Sequence, residues 1–269
     1  MSCTLITTSE LSRLIGLPQV PAILDVRTDN DFHADPRLLP ASQRMDFRAI
    51  AQWSAVHKDN SVVVVCHKGR LSQGTAAWLR HEGIDAETLE GGFEAWKDNG
   101  ELLVHAERLP PRDAKGGTLW VTRSRPKIDR IACPWLIRRF VDPNAIFLFV
   151  SASEVMNAAE RFNATPFDIE GVFWSHRGDT CTFDTMIEEF GLRTQPLLHL
   201  AKIVRGADTA RPDLTPDCAG LLAAWLGYSR MFKDDLPQLE TEMALYDAFY
   251  RWCRDARDET HNWPSQKPN

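Results

Sequence analysis

Hydrophobic positions along the chain fall into two textures. Over the first hundred residues, short apolar blocks alternate with stretches of helical spacing. Ala22–Val26 and Ser61–Val65 are nearly unbroken apolar runs, the pattern of strands buried on both faces. A shorter strand is expected near Ala86–Leu89. Between them, Ser9–Ile15 offers a capped helical turn, Arg48–His57 has helical spacing, and Ser72–Glu82 reads as a helix closed by Gly83. Gly91-Gly92 precedes a last helix, Phe93–Asp98, again stopped by glycine. Polar, proline-bearing Asp31–Gln43 is expected to be loop. Strands separated by helices predict a parallel sheet covered on both faces.

The alternation breaks at His105–Gly117, where two prolines, two glycines and several charges predict a linker over 106–117. Domains are therefore expected at 1–105 and 118–269. In the second, Leu119–Thr122 and Ala145–Val150 read as strands, and most of the rest is helical: Leu197–Arg205, Pro216–Leu226 and Leu236–Arg254. Asn262–Asn269 is expected to fray.

Composition narrows the function classes. Net charge is −6, which gives no global attraction for nucleic acid. No apolar run is long enough for a membrane span, and the N-terminus lacks a basic segment followed by a long apolar one, so a cytoplasmic location is expected. Six cysteines at 3, 66, 133, 181, 218 and 253 never form C-x-x-C, which excludes a disulfide framework and zinc-finger spacing. Cys3, Cys218 and Cys253 are expected to be small buried hydrophobes.

Cys66 is different. It ends the Val62–Val65 run and precedes a helix N-terminus, where the helix dipole and convergent N–H groups favour an anion. Gly69 permits the turn, His67, Lys68 and Arg70 add positive potential, and Ser72 is expected to cap the helix that follows. A phosphatase loop of the C-x5-R type would need arginine at position 72, where this chain has serine. The shorter loop Cys66-His-Lys-Gly-Arg-Leu71 suits sulfane-sulfur transfer.

Ile23-Leu-Asp-Val-Arg27, Cys66–Ser72 and Leu89-Glu-Gly-Gly-Phe-Glu-Ala-Trp96, in that order, resemble a rhodanese over residues 5–104. The resemblance implies an α/β fold: a rhodanese-like parallel sheet flanked by helices, followed here by the mostly helical second domain with a few short strands. It implies Cys66 as the persulfide-carrying nucleophile and the loop His67, Lys68, Gly69, Arg70, Leu71 and Ser72 as its cradle. Asp25 and Arg27 would hold the fold and the loop. A small sulfur donor and a thiol or cyanide-like acceptor are the implied partners, and no cofactor is required for the transfer. Many single-domain relatives carry arginine immediately before the loop serine; this chain has Leu71 there.

Two polar clusters mark the second domain. Trp120–Phe140 carries Arg123, Lys127, Asp129, Arg130 and Cys133 among a net excess of bases, and Pro134 fits best as a first helical residue, with a cationic surface resulting. Ser175–Asp184 holds His176, Arg177, Cys181 and Asp184, read either as ligands for a metal or oxyanion or as a hydrogen-bonded turn. Arg205 and Asp208 form a third polar spot at a helix end. These stretches, from Arg125–Phe140 through Ile203–Asp208, resemble the C-terminal domain of the ChrB-like chromate-resistance family over residues 118–254. That resemblance implies a link to chromate, by detoxification or by sensing, and three functions stay open. The leading one is a sulfurtransferase tethered to an oxyanion- or metal-binding domain. The second is a chromate-responsive regulator without essential catalysis, and the third a scaffold whose rhodanese fold only binds partners, against which the intact Cys66 counts.

Overall fold

The computed structural model describes residues 4–55, 61–113 and 116–259. The first half is built on strands β1 (Leu5–Ile6), β2 (Ala22–Asp25), β3 (Arg37–Leu38), β4 (Ser42–Arg44), β5 (Val62–Val65), β6 (Ala86–Leu89) and β7 (Val104–His105). Five of them form a parallel sheet in the order β1-β6-β5-β2-β4, while β3 and β7 pair antiparallel beside it. The four valines of β5 occupy its centre and are all buried, as a two-faced strand requires. Asp25 on β2 lies opposite Val65 on β5, so Arg27 and Cys66 leave the sheet at the same edge.

Helices α1 (Thr8–Leu14), α2 (Asp29–Ala34), α3 (Ile50–Ser54), α4 (Leu71–His81) and α5 (Gly92–Asp98) cover the sheet. Thr7 caps α1 through a reciprocal pair of bonds with Glu10. The expected loop at Asp31–Gln43 is instead a short helix and two edge strands. Thr28 accepts the Asp31 N–H, which starts α2, and Pro36 and Pro40 flank β3 rather than interrupt it. The helical stretch expected at Arg48–His57 appears as a 3-10 turn and α3, and its end lies outside the described residues.

The second half has a three-stranded parallel sheet, β10-β8-β9, from β8 (Leu119–Arg123), β9 (Ile146–Val150) and β10 (Thr165–Pro166). Around it lie α6 (Asp129–Leu136), α7 (Val155–Phe162), α8 (Thr182–Phe190), α9 (Gln195–Asp208), α10 (Asp217–Met231) and α11 (Asp235–Arg251). Pro134 does not begin a helix: α6 starts at Asp129 and Pro134 lies inside it. Every residue of α6 is buried, so packing on all sides holds the helix against the proline's missing N–H, and the chain continues as a wider π turn over Ile137–Val141. Among the described residues, no helix is long and apolar enough to cross a membrane.

One buried cluster runs through both halves, joining Leu11 and Trp96 to Trp120, Phe140 and Tyr250. At the seam, a Cβ on Gly16 would lie 2.5 Å from Phe140 Cζ and 2.7 Å from Tyr250 Cε1. The Ala41 N–H donates to the Phe140 carbonyl at 2.7 Å. The described residues on either side of 114–115 are also tied down. Arg112 pairs with buried Asp142 at 2.9 Å, and Asp142 accepts both the N–H and the hydroxyl of Thr118.

Gly16→Ala should therefore lower stability by roughly 1–3 kcal/mol, because the methyl meets two rings and the residue's positive φ disfavours any side chain. Urea unfolding should show one transition, shifted to lower denaturant. A second expectation concerns Glu242 on α11, fully buried, whose carboxyl burial pushes up to about 7. Its folded value lies above the ordinary one, so the associated stability is fully present below the ordinary pKa and is lost as pH rises through about 7. Between about pH 5 and pH 8 the native protein should lose on the order of 2 kcal/mol that Glu242→Gln does not lose. Urea curves of both proteins at the two pH values measure the difference.

Candidate functional sites

Cys66 follows β5 directly, and its side chain is buried, with 1% of the residue exposed. Its Sγ accepts the Ser72 N–H at 3.3 Å and lies 3.4 Å from Ser72 Oγ. Ser72 was expected to cap α4; instead it is the helix's second residue, fully buried. Arg70, at the N-cap position, makes no side-chain capping bond, so the sulfur supplies an acceptor that the helix start lacks.

The other wall of the loop is the start of α5. Phe93 N–H donates to the Cys66 carbonyl at 2.9 Å and Glu94 N–H to the His67 carbonyl at 3.0 Å. This contact needs glycine: a Cβ on Gly92 would sit 2.3 Å from the Cys66 oxygen and 2.6 Å from the Gly69 nitrogen. Gly69 itself turns at φ +74°. Lys68, Arg70 and Leu71 face solvent, while His67 is half-buried with Nδ1 3.8 Å from Glu94 Oε1. Lys97 bonds the same carboxylate and, more than any other neighbour, holds it below the usual range. Asp25 and Arg27 form a buried bidentate pair, closest at 2.6 Å. The guanidinium also bonds the carbonyls of Asp35 and Arg37 and lies 3.8 Å from the Phe93 ring centroid. It thus ties the end of β2 to the helix that supports the loop.

In the second half, the fold brings Asp129, His176 and Asp208 together, and adds Asp168. His176 Nε2 lies 3.4 Å from Asp129, 3.3 Å from Asp168 and 3.5 Å from Asp208. Asp129 begins α6, and its carboxylate accepts the N–H groups of Thr182 at 2.6 Å and Phe183 at 3.1 Å, at the start of α8. Asp168 follows β10 in a left-handed conformation and accepts the Thr182 hydroxyl at 2.9 Å. Asp208 is the last residue of α9. Hydrogen bonding to Asp129, then Asp168, raises His176 to about 10. Burial, then the charges of Asp129 and Asp168, pushes Asp208 up to about 7. Burial would raise Asp168 most, but its bonds to His176 and Thr182 and the charge of Arg130 together bring it below the usual range.

The other expected residues take separate roles. Cys133 and Cys181 are buried, Cys133 Sγ lies 3.9 Å from Asp129, and burial followed by the charge of Asp129 drives both thiols well above their ordinary range. Asp184 closes the start of α8 by accepting the Cys181 N–H and pairs with Arg205 at 3.0 Å. Burial raises its carboxyl. Arg177 turns outward to Glu189 and the Phe173 carbonyl. Lys127 is exposed.

The expected cationic surface forms only in part. Arg130 is buried, with Nε 3.1 Å from Asp168, and burial lowers its pKa. Arg123 lies 3.5 Å from the same acid; Arg138 pairs with Glu240 and Arg139 with Asp247. Arg125 and Lys127 stay exposed and line one pocket with Arg230. Asp168 was missed because it is a lone acid in the apolar stretch Pro166–Ile169, and Thr182, inside the polar cluster Ser175–Asp184, because a threonine there does not stand out beside His176 and Asp184. Cys218 and Cys253 are buried, as small hydrophobes would be, and Cys3 lies outside the described residues.

Comparison with known proteins matches residues 120–253 to the ChrB C-terminal domain and residues 7–99 to the rhodanese-like domain. Protein ChrB of Cupriavidus metallidurans is 30% identical over 236 residues, covering 77% of this chain and 71% of that protein. The thiosulfate sulfurtransferase GlpE of Pseudomonas savastanoi pv. phaseolicola is 36% identical over 81 residues, 29% of this chain and 74% of that protein. Among solved structures, a rhodanese-related protein from Thermoplasma volcanium is 21% identical, covers 37% of this chain and 95% of its own, and gives a TM-score of 0.33.

Gly92→Ala tests the loop geometry. Its methyl would strike backbone, which cannot rotate away, so the Cys66 loop and α5 must separate. The variant should be less stable by about 1–3 kcal/mol, and Cys66 should react faster with an aromatic disulfide reagent under native conditions. Native-state thiol titration and urea unfolding report both.

Proposed function

The chain belongs to the ChrB family, and from that premise we propose that its rhodanese-like half is a sulfurtransferase carrying sulfane sulfur on Cys66, working in the setting of chromate resistance. One observation carries the reading. The Cys66 sulfur is an acceptor at a helix N-terminus, 3.3 Å from the Ser72 N–H, where the peptide dipoles favour a negatively charged sulfur.

In the proposed cycle the Cys66 thiolate attacks the outer sulfur of a donor such as thiosulfate. A sulfur–sulfur bond forms at Cys66 as the donor's own sulfur–sulfur bond breaks, and sulfite leaves with the electron pair. The persulfide then bears its charge on the terminal sulfur, within the loop of residues 67–71. A nucleophilic acceptor, a thiol or cyanide, attacks that sulfur and Cys66 departs as thiolate, ready for the next donor. Lys68 and Arg70, both exposed at the loop, raise the local concentration of an anionic donor. Cys66 is 1% exposed, so transfer requires a donor that reaches it with a terminal sulfur. Asp25 and Arg27 act through position, by fixing Phe93 and the end of β2.

A chromate-responsive regulator draws less support. Of the basic residues that would face DNA phosphates, Arg130, Arg138 and Arg139 are paired with acids, which leaves Arg125 and Lys127 as a small exposed cationic area.

The purified chain should be loaded with thiosulfate, freed of excess donor and treated with cyanide. Wild type should release thiocyanate, and Cys66→Ser, folded by circular dichroism, should release at least about a hundredfold less, since the bond-forming atom is gone. Equal release from both proteins, or none from wild type with either thiosulfate or a polysulfide donor, would remove Cys66 as a sulfur carrier.

A further inference from the structure

We propose that the second half holds a divalent first-row transition metal ion, bound by Asp129, His176 and Asp208 with Asp168 at its edge. The side chains come from four separate places in the chain: the start of α6, the segment after β10, the turn before α8 and the end of α9.

Donor arithmetic is the first argument. An imidazole Nε2 carries at most one hydrogen, yet three carboxylates surround this one at 3.3–3.5 Å. A charge-assisted bond to one of them would contract to about 2.7–2.9 Å and leave the others outside. Here the imidazole is shared, and none of the three contacts contracts to that distance. These separations match the edges of a coordination shell instead. Nitrogen and oxygen ligands about 2.0–2.2 Å from a tetrahedral metal stand roughly 3.3–3.6 Å from one another. One ligand atom each from Asp129, His176 and Asp208 lies within 4.8 Å of the other two.

Charge placement points the same way. Asp208 sits at the C-terminal end of α9, where the helix dipole disfavours a carboxylate, and it faces two further acids. A metal ion at the centre turns each of these repulsions into attraction. Arg130 borders the cluster with its side chain 7% exposed: Nη1 donates to the Arg123 and Ser124 carbonyls, while the buried Nε, 3.1 Å from Asp168 Oδ2, makes no hydrogen bond.

The surroundings are those of a built site. Asp129 is held by two backbone N–H groups of α8 and Asp168 by the Thr182 hydroxyl, which fixes the ligand atoms before an ion arrives. The acid side chains are 1%, 8% and 14% exposed for Asp129, Asp168 and Asp208, while the His176 side chain is 40% exposed, leaving one side open to solvent. One imidazole with carboxylates suits zinc, iron(II) or manganese(II) better than calcium or magnesium, which prefer an all-oxygen shell.

The test uses the full chain carrying Cys66→Ser, so that the loop thiol cannot bind the probe. After chelator treatment and desalting, Co2+ titration should saturate near one equivalent with visible d–d absorption, and Zn2+ or Mn2+ should raise the melting temperature. His176→Ala and Asp208→Asn should each weaken Co2+ binding by at least about a hundredfold. Metal-free Asp208→Asn should melt at or above its parent, because one of three mutually repelling acids is gone. An ion-pair network without a metal predicts the reverse: a lower melting temperature for that variant and no response to metal. Failure of the stripped parent to bind Co2+, Zn2+ or Mn2+, or binding unaffected by both substitutions, would overturn the assignment.

Discussion

The first N–H groups of α4 and α8 have no partners within their own helices, and each half of the chain supplies acceptors from elsewhere. In the first half the acceptor is the Cys66 sulfur, six residues before Ser72. In the second it is the Asp129 carboxylate, more than fifty residues before Thr182 and Phe183. Burial makes these bonds consequential, since an orphaned donor in the interior costs about 1–3 kcal/mol. The same requirement that completes the fold therefore places a thiol sulfur at one helix start and a buried carboxylate at another. Chemistry is placed where the backbone is electropositive.

The first half was largely legible from its order of residues. Four consecutive valines, a cysteine and a glycine turn are local features, and local features survive into the structure as β5, the loop and α4. The role of Ser72 was not legible, because a serine near a helix start looks the same whether it caps the backbone or lies buried against a sulfur. The second half was harder. Its basic stretch suggests a cationic face only while Glu240 and Asp247 are read as distant residues. Pro134 suggests a helix start unless the packing around α6 is known. His176 and Asp208 stood out in two separate polar clusters, but their shared position depends on how α9 packs on α8, a relation between elements that no short window contains.

Electrostatics separates the two sites. On the Cys66 loop Lys68 and Arg70 are exposed, and half-buried His67 lies beside Glu94. Around His176, three acids with restricted access to water meet one imidazole and the buried Arg130. The first site gathers exposed bases about a loop; the second gathers acids in the interior. Their cysteines differ accordingly. Cys66 accepts a helix N–H, whereas Cys133 and Cys181 lie beside carboxylates that keep their protons on.

The close approach at Gly16 bears on the architecture as a unit of inheritance. Phe140 and Tyr250 lie where a methyl on Gly16 would be, and the Phe140 carbonyl takes the Ala41 N–H. A rhodanese-like segment severed near residue 105 would lose that cover and leave backbone and apolar surface bare to water. The two halves are thus not beads on a string, free to be recombined with other neighbours; each has come to carry part of the other's interior.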